Sequence, residues 1–470
     1  MVTIQWTGSG PDVLVRLDRS AHETLGSQLQ RELREAIRTG RLTLGEKLPS
    51  SRRLATELGV SRGLVVEGYT QLEAEGYLTT RPGSATEVAI RPVDATPVSG
   101  PEPDPGGVSI DFEFGVPDLG QFPIRDWMWA MGQAARTVPF PSLGYTDPRG
   151  IDAVRTVIAA YLRRVRGGLA DPDHVVITTG YAQGLSVVLG VLAKGGAQRV
   201  AIEDPGDPRN ARAVRRHGLE PIPIHVDHDG IDVAALVAAR AEAVIVTPAH
   251  QCPTGSVLTA ERRLDLLEWA AKSDGLVIED DYDSEFRYDR RPVGSLHGLD
   301  PDHVIALGSV SKSLAPFLRL GWIVAPGAMA QDISDEKQLT DRATAGLEQL
   351  ALAEMIRSGR YDRHIRRMRT TYSRRRQALI EATANHLPGC DVTGLAAGFH
   401  AVIETPGHLD EEHLVAEARR LSVGIYGMST YRFDGSSTPC HLVLGFGNLT
   451  DSAIHRAIAT IAPLVMPPGA

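Results

Sequence analysis

The stretch SVSKSLAPFLRLG, residues 309–321, sets Lys312 just after Ser309 and Ser311 and seven residues before Arg319. A lysine amine can form a Schiff base with an aldehyde, and serines with an arginine can seat a phosphate. Three other stretches carry complementary types. GYAQG (180–184) is a glycine turn entering a helix, where free N–H groups of Tyr181 and Ala182 suit a phosphate. AHQCPTG (249–255) supplies His250, Gln251 and Cys252, and IEDDYD (278–283) supplies Asp280, Asp281 and Tyr282. A lone lysine is more often a surface amine, and paired aspartates often mark a strand-end turn. The four stretches, however, each follow an apolar strand-like run: VVITT (175–179), AVIVTP (243–248), GLVIEDD (275–281) and HVIALGS (303–309). Open parallel sheets bind ligands at the carboxyl ends of their strands, so four strand ends bring these types to one edge.

The set suits pyridoxal 5′-phosphate. The lysine takes the aldehyde, a carboxylate keeps the ring nitrogen protonated, a phenol serves the ring hydroxyl, and serines, arginine and helix-end amides take the phosphate. Positioning them requires a large α/β unit. The runs RVAIED (199–204), PIPIHV (221–226) and RLGWIVAP (319–326) extend the series, with helices expected near 182–194 and 209–217. Near-continuous β-branched runs alternating with helices predict a mostly parallel sheet covered on both faces. Beyond about residue 360 a long Arg-rich helix, two strands (AVIET, HLVLGF) and two more helices predict a smaller α+β domain.

The amino-terminal part reads differently. Leu25, Leu29, Leu33 and Ile37 recur every four residues along one helical face. SRRLATELG follows, with Ser50 or Ser51 as cap, and then a third helix capped by Ser61, RGLVVEGYTQLEAEG. YLTTRPGSATEV predicts two short strands about a turn. Three helices and a hairpin make a winged helix-turn-helix, with Gly59 in the turn and basic residues including Arg52, Arg62 and Arg81 available to DNA. Residues 91–109 are rich in proline and glycine and predict a linker. The expected domains are therefore 12–90, the linker 91–109, and 110–470, whose large part runs about 130–360 and small part about 361–470.

Composition narrows the class. The 470 residues are too many for one core, and a net charge of −9 opposes nonspecific coating of nucleic acid while leaving room for a small basic head. Cys252, Cys390 and Cys440 are widely spaced, which predicts free thiols and neither disulfide nor metal site. The opening MVTIQWTGSG has no basic and apolar signal pattern, and LSVVLGVLA is too short to span a bilayer; the expected location is the cytoplasm.

LPSSRRLATELGVSR, EDDYDSEFRY and SVSKSLAPFLRLG together resemble the MocR subfamily of GntR-type transcription regulators, in which a winged helix-turn-helix is fused to a fold type I aminotransferase-like domain. The resemblance covers 24–90 and 110–465. It implies Lys312 as Schiff-base lysine, Asp280 at the ring nitrogen, Tyr282 at the ring hydroxyl, and Tyr181, Ala182, Ser309, Ser311 and Arg319 at the phosphate. Tyr145, in GYTDPRG, implies a tyrosine offered to the partner subunit of a homodimer with shared sites. Arg52, Ser61, Arg62 and Arg81 imply DNA contacts. Three departures follow. Cys252 stands where aminotransferases carry asparagine, leaving His250 or Gln251 as substitutes; Asp207 replaces an aromatic; and Val443 replaces a substrate-gripping arginine, with Arg209 or Arg432 as stand-ins for an effector. The implied function is a transcription regulator that senses pyridoxal 5′-phosphate. An amino compound would form an external aldimine, and the controlled genes would serve vitamin B6 or amine and amino-acid metabolism. The alternatives are an active aminotransferase with a docking head, and an adaptor that has lost its cofactor.

Overall fold

The computed structural model describes residues 2–4, 15–80, 85–90, 107–288, 294–394, 397–405, 409–437 and 439–466. It divides into two compact units, Met1–Pro103 and Asp104–Ala470.

In the first unit the helices Leu25–Arg38, Ser51–Leu58 and Arg62–Ala74 are each started by a hydroxyl. Thr24, Ser50 and Ser61 accept from the backbone N–H three residues on, satisfying donors that a helix start leaves free. Between the last two helices Gly59 takes the left-handed conformation, which closes the turn. Leu29, Leu33, Ile37, Leu54, Val65 and Leu72 fill the core between the helices. Leu78–Thr79 pairs antiparallel with Glu87–Val88 to form the hairpin. Val2–Ile4 pairs with Val15–Leu17, so the head takes in a strand that lies before residue 12. Arg81 and most of the expected linker lie outside the described residues.

The second unit is built on an eight-stranded sheet. Its spatial order is Val175–Thr178, Gly321–Val324, Val304–Ser309, Leu276–Asp281, Ala243–Val246, Arg199–Asp204, Glu220–Asp227, Gly230–Ile231. The second and last strands run antiparallel to their neighbours and the rest are parallel. The strands Val175–Thr178, Gly321–Val324 and Ala243–Val246 are buried throughout, as their unbroken apolar runs require when helices cover both faces. The smaller part holds a four-stranded sheet, with His400–Glu404 against His441–Gly445, backed by Arg360–His386, Glu411–Arg420 and Asp451–Val465. It also takes a strand from just past the linker, since Ile110–Asp111 pairs with Val423–Gly424. That pairing leads residues 112–115 toward the large sheet.

Candidate functional site

The strand ends do converge. A cavity of about 240 Å³ is lined by Tyr181, Ala182, Asp280, Tyr282, Ser309, Ser311, Lys312 and Arg319, together with Phe114, Asp207, Arg209, Asn210 and Cys252. Strand geometry separates the two aspartates. Successive side chains leave a strand on opposite faces, so Asp281 turns to Arg166, with 2.6 Å between Oδ1 and Nη2, while Asp280 faces the cavity. Among the described residues no donor reaches the Asp280 carboxyl. Burial, and then the charges of Asp207 and Asp281, drive its pKa well above the carboxylate range. A protonated ring nitrogen is the partner such a carboxyl lacks, so this position fits pyridoxal phosphate.

Lys312 reaches the carbonyl of Gly115 across the cavity. Burial and the Arg209 charge lower its pKa, which raises the share of neutral, nucleophilic amine. Burial keeps Tyr282 a phenol, with Asp283 adding to the effect, so its hydrogen remains available to donate.

The phosphate end is set by Gly180, which caps Tyr181–Lys194 at φ 105° and ψ 179°, a region essentially reserved for glycine. A Cβ there would lie 3.2 Å from an Arg319 guanidinium nitrogen, so the arginine packs on the bare turn. The helix-start amides of Tyr181 and Ala182, the Arg319 guanidinium and the hydroxyls of Ser309 and Ser311 thus line one end of a cavity suited to an anion. The Tyr181 phenol donates to Asn210 at 3.0 Å, which fixes the ring as a wall.

Other expected residues stand apart. Gln251 does not line the cavity: its amide donates to the carbonyls of Pro205 and Cys252, both at 2.8 Å, and accepts from Thr254. It holds its own loop, which corrects its assignment as a ring contact. His250 also lies behind the cavity wall, bonded to Asp283 and Gly394. Arg432 donates to the carbonyls of Ser436 and Pro439 within its own loop and is not a cavity residue, so it does not fit the effector role. Arg209 does line the cavity, paired through two nitrogens with Asp207. Val443 is fully buried and packs with Val402, Met428, Phe114 and Tyr431. Tyr145 is 91% exposed, under the guanidinium of Arg342 and outside the Lys312 cavity.

Phe114 and Asn210 are cavity residues absent from the expected set, whereas Asp207 lines the cavity at the slot where an aromatic near the cofactor is expected. Asp207 and Asn210 follow the strand Arg199–Asp204, so the strand-end rule could have found them. Phe114 arrives through the Ile110–Asp111 pairing, for which no local pattern speaks. In the head, Ser61 spends its oxygen on the N–H of Leu64, while Arg52 and Arg62 are exposed and Arg62 meets Ser51 at 3.4 Å.

Two family models match: bacterial regulatory proteins of the gntR family over residues 25–88, and aminotransferase class I and II over 109–459. The chain is 32% identical to the HTH-type pyridoxine biosynthesis transcriptional regulator PdxR of Corynebacterium glutamicum, across 97% of this chain and 99% of that protein. It is 30% identical to the probable rhizopine catabolism regulatory protein MocR of Rhizobium meliloti, over 95% and 94%. Its fold matches a kynurenine aminotransferase of Pyrococcus horikoshii with a TM-score of 0.69 and 24% identity, over 76% of this chain and 90% of that one. With one reading head, one aminotransferase-type unit and relatives that match both from end to end, the chain belongs to the MocR-type family of GntR transcription regulators.

Proposed function

We propose that this regulator senses pyridoxal 5′-phosphate at Lys312, alone or with an amino compound, and changes its hold on promoter DNA in response. The observation that carries the reading is one cavity holding an amine, a carboxyl with no donor among the described residues, a phenol and an anion seat. When bound, the cofactor supplies an electrophilic aldehyde and an electron-withdrawing ring. Lys312 offers the amine, Asp280 accepts from the ring nitrogen, Tyr282 donates to the ring oxygen, and Ser309, Ser311, Arg319 and the amides of Tyr181 and Ala182 hold the phosphate. Arg209 is the charge available to an effector carboxylate.

The same cavity favours sensing over turnover. Cys252 offers only a weak S–H donor to it, and Val443, buried in the apolar cluster behind Phe114, brings no charge with which to grip a substrate. A second copy of the chain completes the assembly in this reading. Phe140, Leu143 and Tyr145 are highly exposed on one stretch beside Arg342, an apolar surface suited to a dimer in which Tyr145 reaches the partner's site. Genes of vitamin B6 or amine metabolism are the proposed targets, in keeping with the roles for which PdxR and MocR are named.

The test is an anisotropy titration of the upstream DNA with and without pyridoxal phosphate, using wild type and Lys312→Ala. The wild-type curve shifts with cofactor and the variant's does not. Absence of specific DNA binding in every ligand state overturns the reading. Transamination at about 1 per second or faster supports the enzyme instead.

A further inference from the structure

Behind the Tyr282 wall lies a buried knot that the proposed cofactor contacts do not use. His250 Nδ1 is 2.7 Å from Asp283 Oδ2 and 3.3 Å from the Tyr282 hydroxyl, and its Nε2 is 3.1 Å from the carbonyl of Gly394. A carbonyl can only accept, so Nε2 must carry a hydrogen. At 2.7 Å from a carboxylate Nδ1 carries one as well, because two facing lone pairs would repel. A doubly protonated imidazole donates at both ends. The Tyr282 oxygen then accepts from Nδ1–H, and its own hydrogen points elsewhere.

The knot also joins the two parts of the effector unit. His250 and Asp283 follow strands of the large sheet, whereas Gly394 belongs to the small part. His400, on a small-part strand, packs its ring at a 45° tilt against His250 with 4.5 Å between centroids, and bonds back to the Pro253 carbonyl at 3.1 Å. Gly398 passes so close that a Cβ would lie 2.2 Å from Asp283 Oδ2 and 2.6 Å from His250 Cε1. Only a bare backbone lets the small part close there. Among the described residues the other charged or titratable groups facing the knot are Arg287, bonded to the Ala249 carbonyl, Tyr288, bonded to the Gly398 carbonyl, and, on the cavity side of Tyr282 and His400, Asp280, Cys252 and Lys312. The His250 charge therefore has Asp283 as its one close counter-charge among the described residues.

We propose that His250 is a positioning residue for Tyr282: it donates Nδ1–H to Asp283 and Tyr282 and Nε2–H to Gly394, directing the Tyr282 hydrogen into the cavity while tying the small part to the same ring. The proposal rests on the cofactor reading above. Removing the imidazole frees the Tyr282 hydroxyl to turn to the Asp283 carboxylate, a stronger acceptor, and the cofactor's ring oxygen loses its donor.

Two measurements test it. In cofactor-free protein with ¹⁵N-labelled histidine, both His250 nitrogens give imidazolium signals at neutral pH, identified by their loss in His250→Gln. An unprotonated nitrogen overturns the proposal. So does a stoichiometrically retained metal ion, since His250, Asp283 and His400 each place a ligand-type atom within 4.8 Å of the others. In protein loaded with pyridoxal phosphate, the pH midpoint of the visible absorbance band rises in His250→Leu by roughly one unit, a tenfold change, in the same direction as in Tyr282→Phe. His250→Gln, whose amide can still donate, recovers part of the shift. If His250→Leu does not fold, Asp283→Asn is read in its place and moves the midpoint the same way. A wild-type band with no shift in these variants overturns the proposal alone. Absence of any band that Lys312→Ala lacks overturns the cofactor reading and the proposal with it.

Discussion

Glu203 and Asp280 are both part-buried carboxyls at strand ends, yet their surroundings give them different work. Asp280 has no donor among the described residues and faces the cavity, whereas Glu203 accepts from the Thr247 hydroxyl at 2.6 Å and its N–H at 3.2 Å. Burial raises the pKa of Glu203 from an ordinary 4.5 to about 7. Because the folded value lies above the unfolded one, the stabilising contribution is complete below about 4.5 and is lost as pH rises through about 7. Glu203→Gln keeps an acceptor for Thr247 and cannot ionise. It should therefore gain stability over wild type at about pH 8, by on the order of 3 kcal/mol, and gain little at about pH 5. Thermal unfolding across that range measures it, and parallel curves for the two proteins would refute the assignment. Residue types alone could not separate these roles. Asp280 was legible because its strand and neighbours were, whereas Gln251 and Arg432 were offered only as stand-ins for missing residues and hold their own loops.

At the scale of elements, most of the frame was legible because period and punctuation agree. The seven expected strands of the large part all form, and the hydroxyl caps at Ser50 and Ser61 start their helices where expected. What escaped were helices such as Ile124–Thr137 and Gly346–Arg357, which pack on each other beside the sheet. The Ile110–Asp111 pairing escaped as well, because a two-residue strand joined to a segment about three hundred residues away leaves no periodic trace. The Gly180 turn is where an element becomes a site. Its left-handed φ lets the helix Tyr181–Lys194 present bare amides beside Arg319. Gly180→Ala should weaken pyridoxal phosphate binding by tenfold or more, since backbone strain there costs about 1–3 kcal/mol and the added methyl crowds the guanidinium. A spectral titration reads the change, with promoter binding by the head as the control for folding. Unchanged cofactor affinity would remove the helix start from the phosphate seat.

Across the whole molecule, an acidic chain with net charge −9 carries a small DNA-reading head whose exposed Arg52 and Arg62 sit in the first turns of the two helices of the helix-turn-helix. The two units fold around separate cores, so communication between them is an equilibrium property with a reciprocal signature. If pyridoxal phosphate changes affinity for promoter DNA by some factor, promoter DNA must change affinity for pyridoxal phosphate by the same factor. Couplings of this kind run about 1–3 kcal/mol, or roughly 5- to 150-fold. The measurement is a pair of titrations at one ionic strength: DNA binding at zero and saturating cofactor, and cofactor binding by absorbance at zero and saturating DNA. The two ratios should agree within error, and Lys312→Ala should bring both to one while leaving basal DNA binding in place. Arg62→Ala should weaken DNA binding yet leave the cofactor titration of free protein untouched, because its side chain is exposed on the reading head and does not line the Lys312 cavity. Unequal ratios would mean that one titration reports a process other than the linkage, such as a change of assembly state. Equal ratios of one would leave a cofactor-binding unit with no route to the promoter, and the sensing role would fall even with every cavity contact intact.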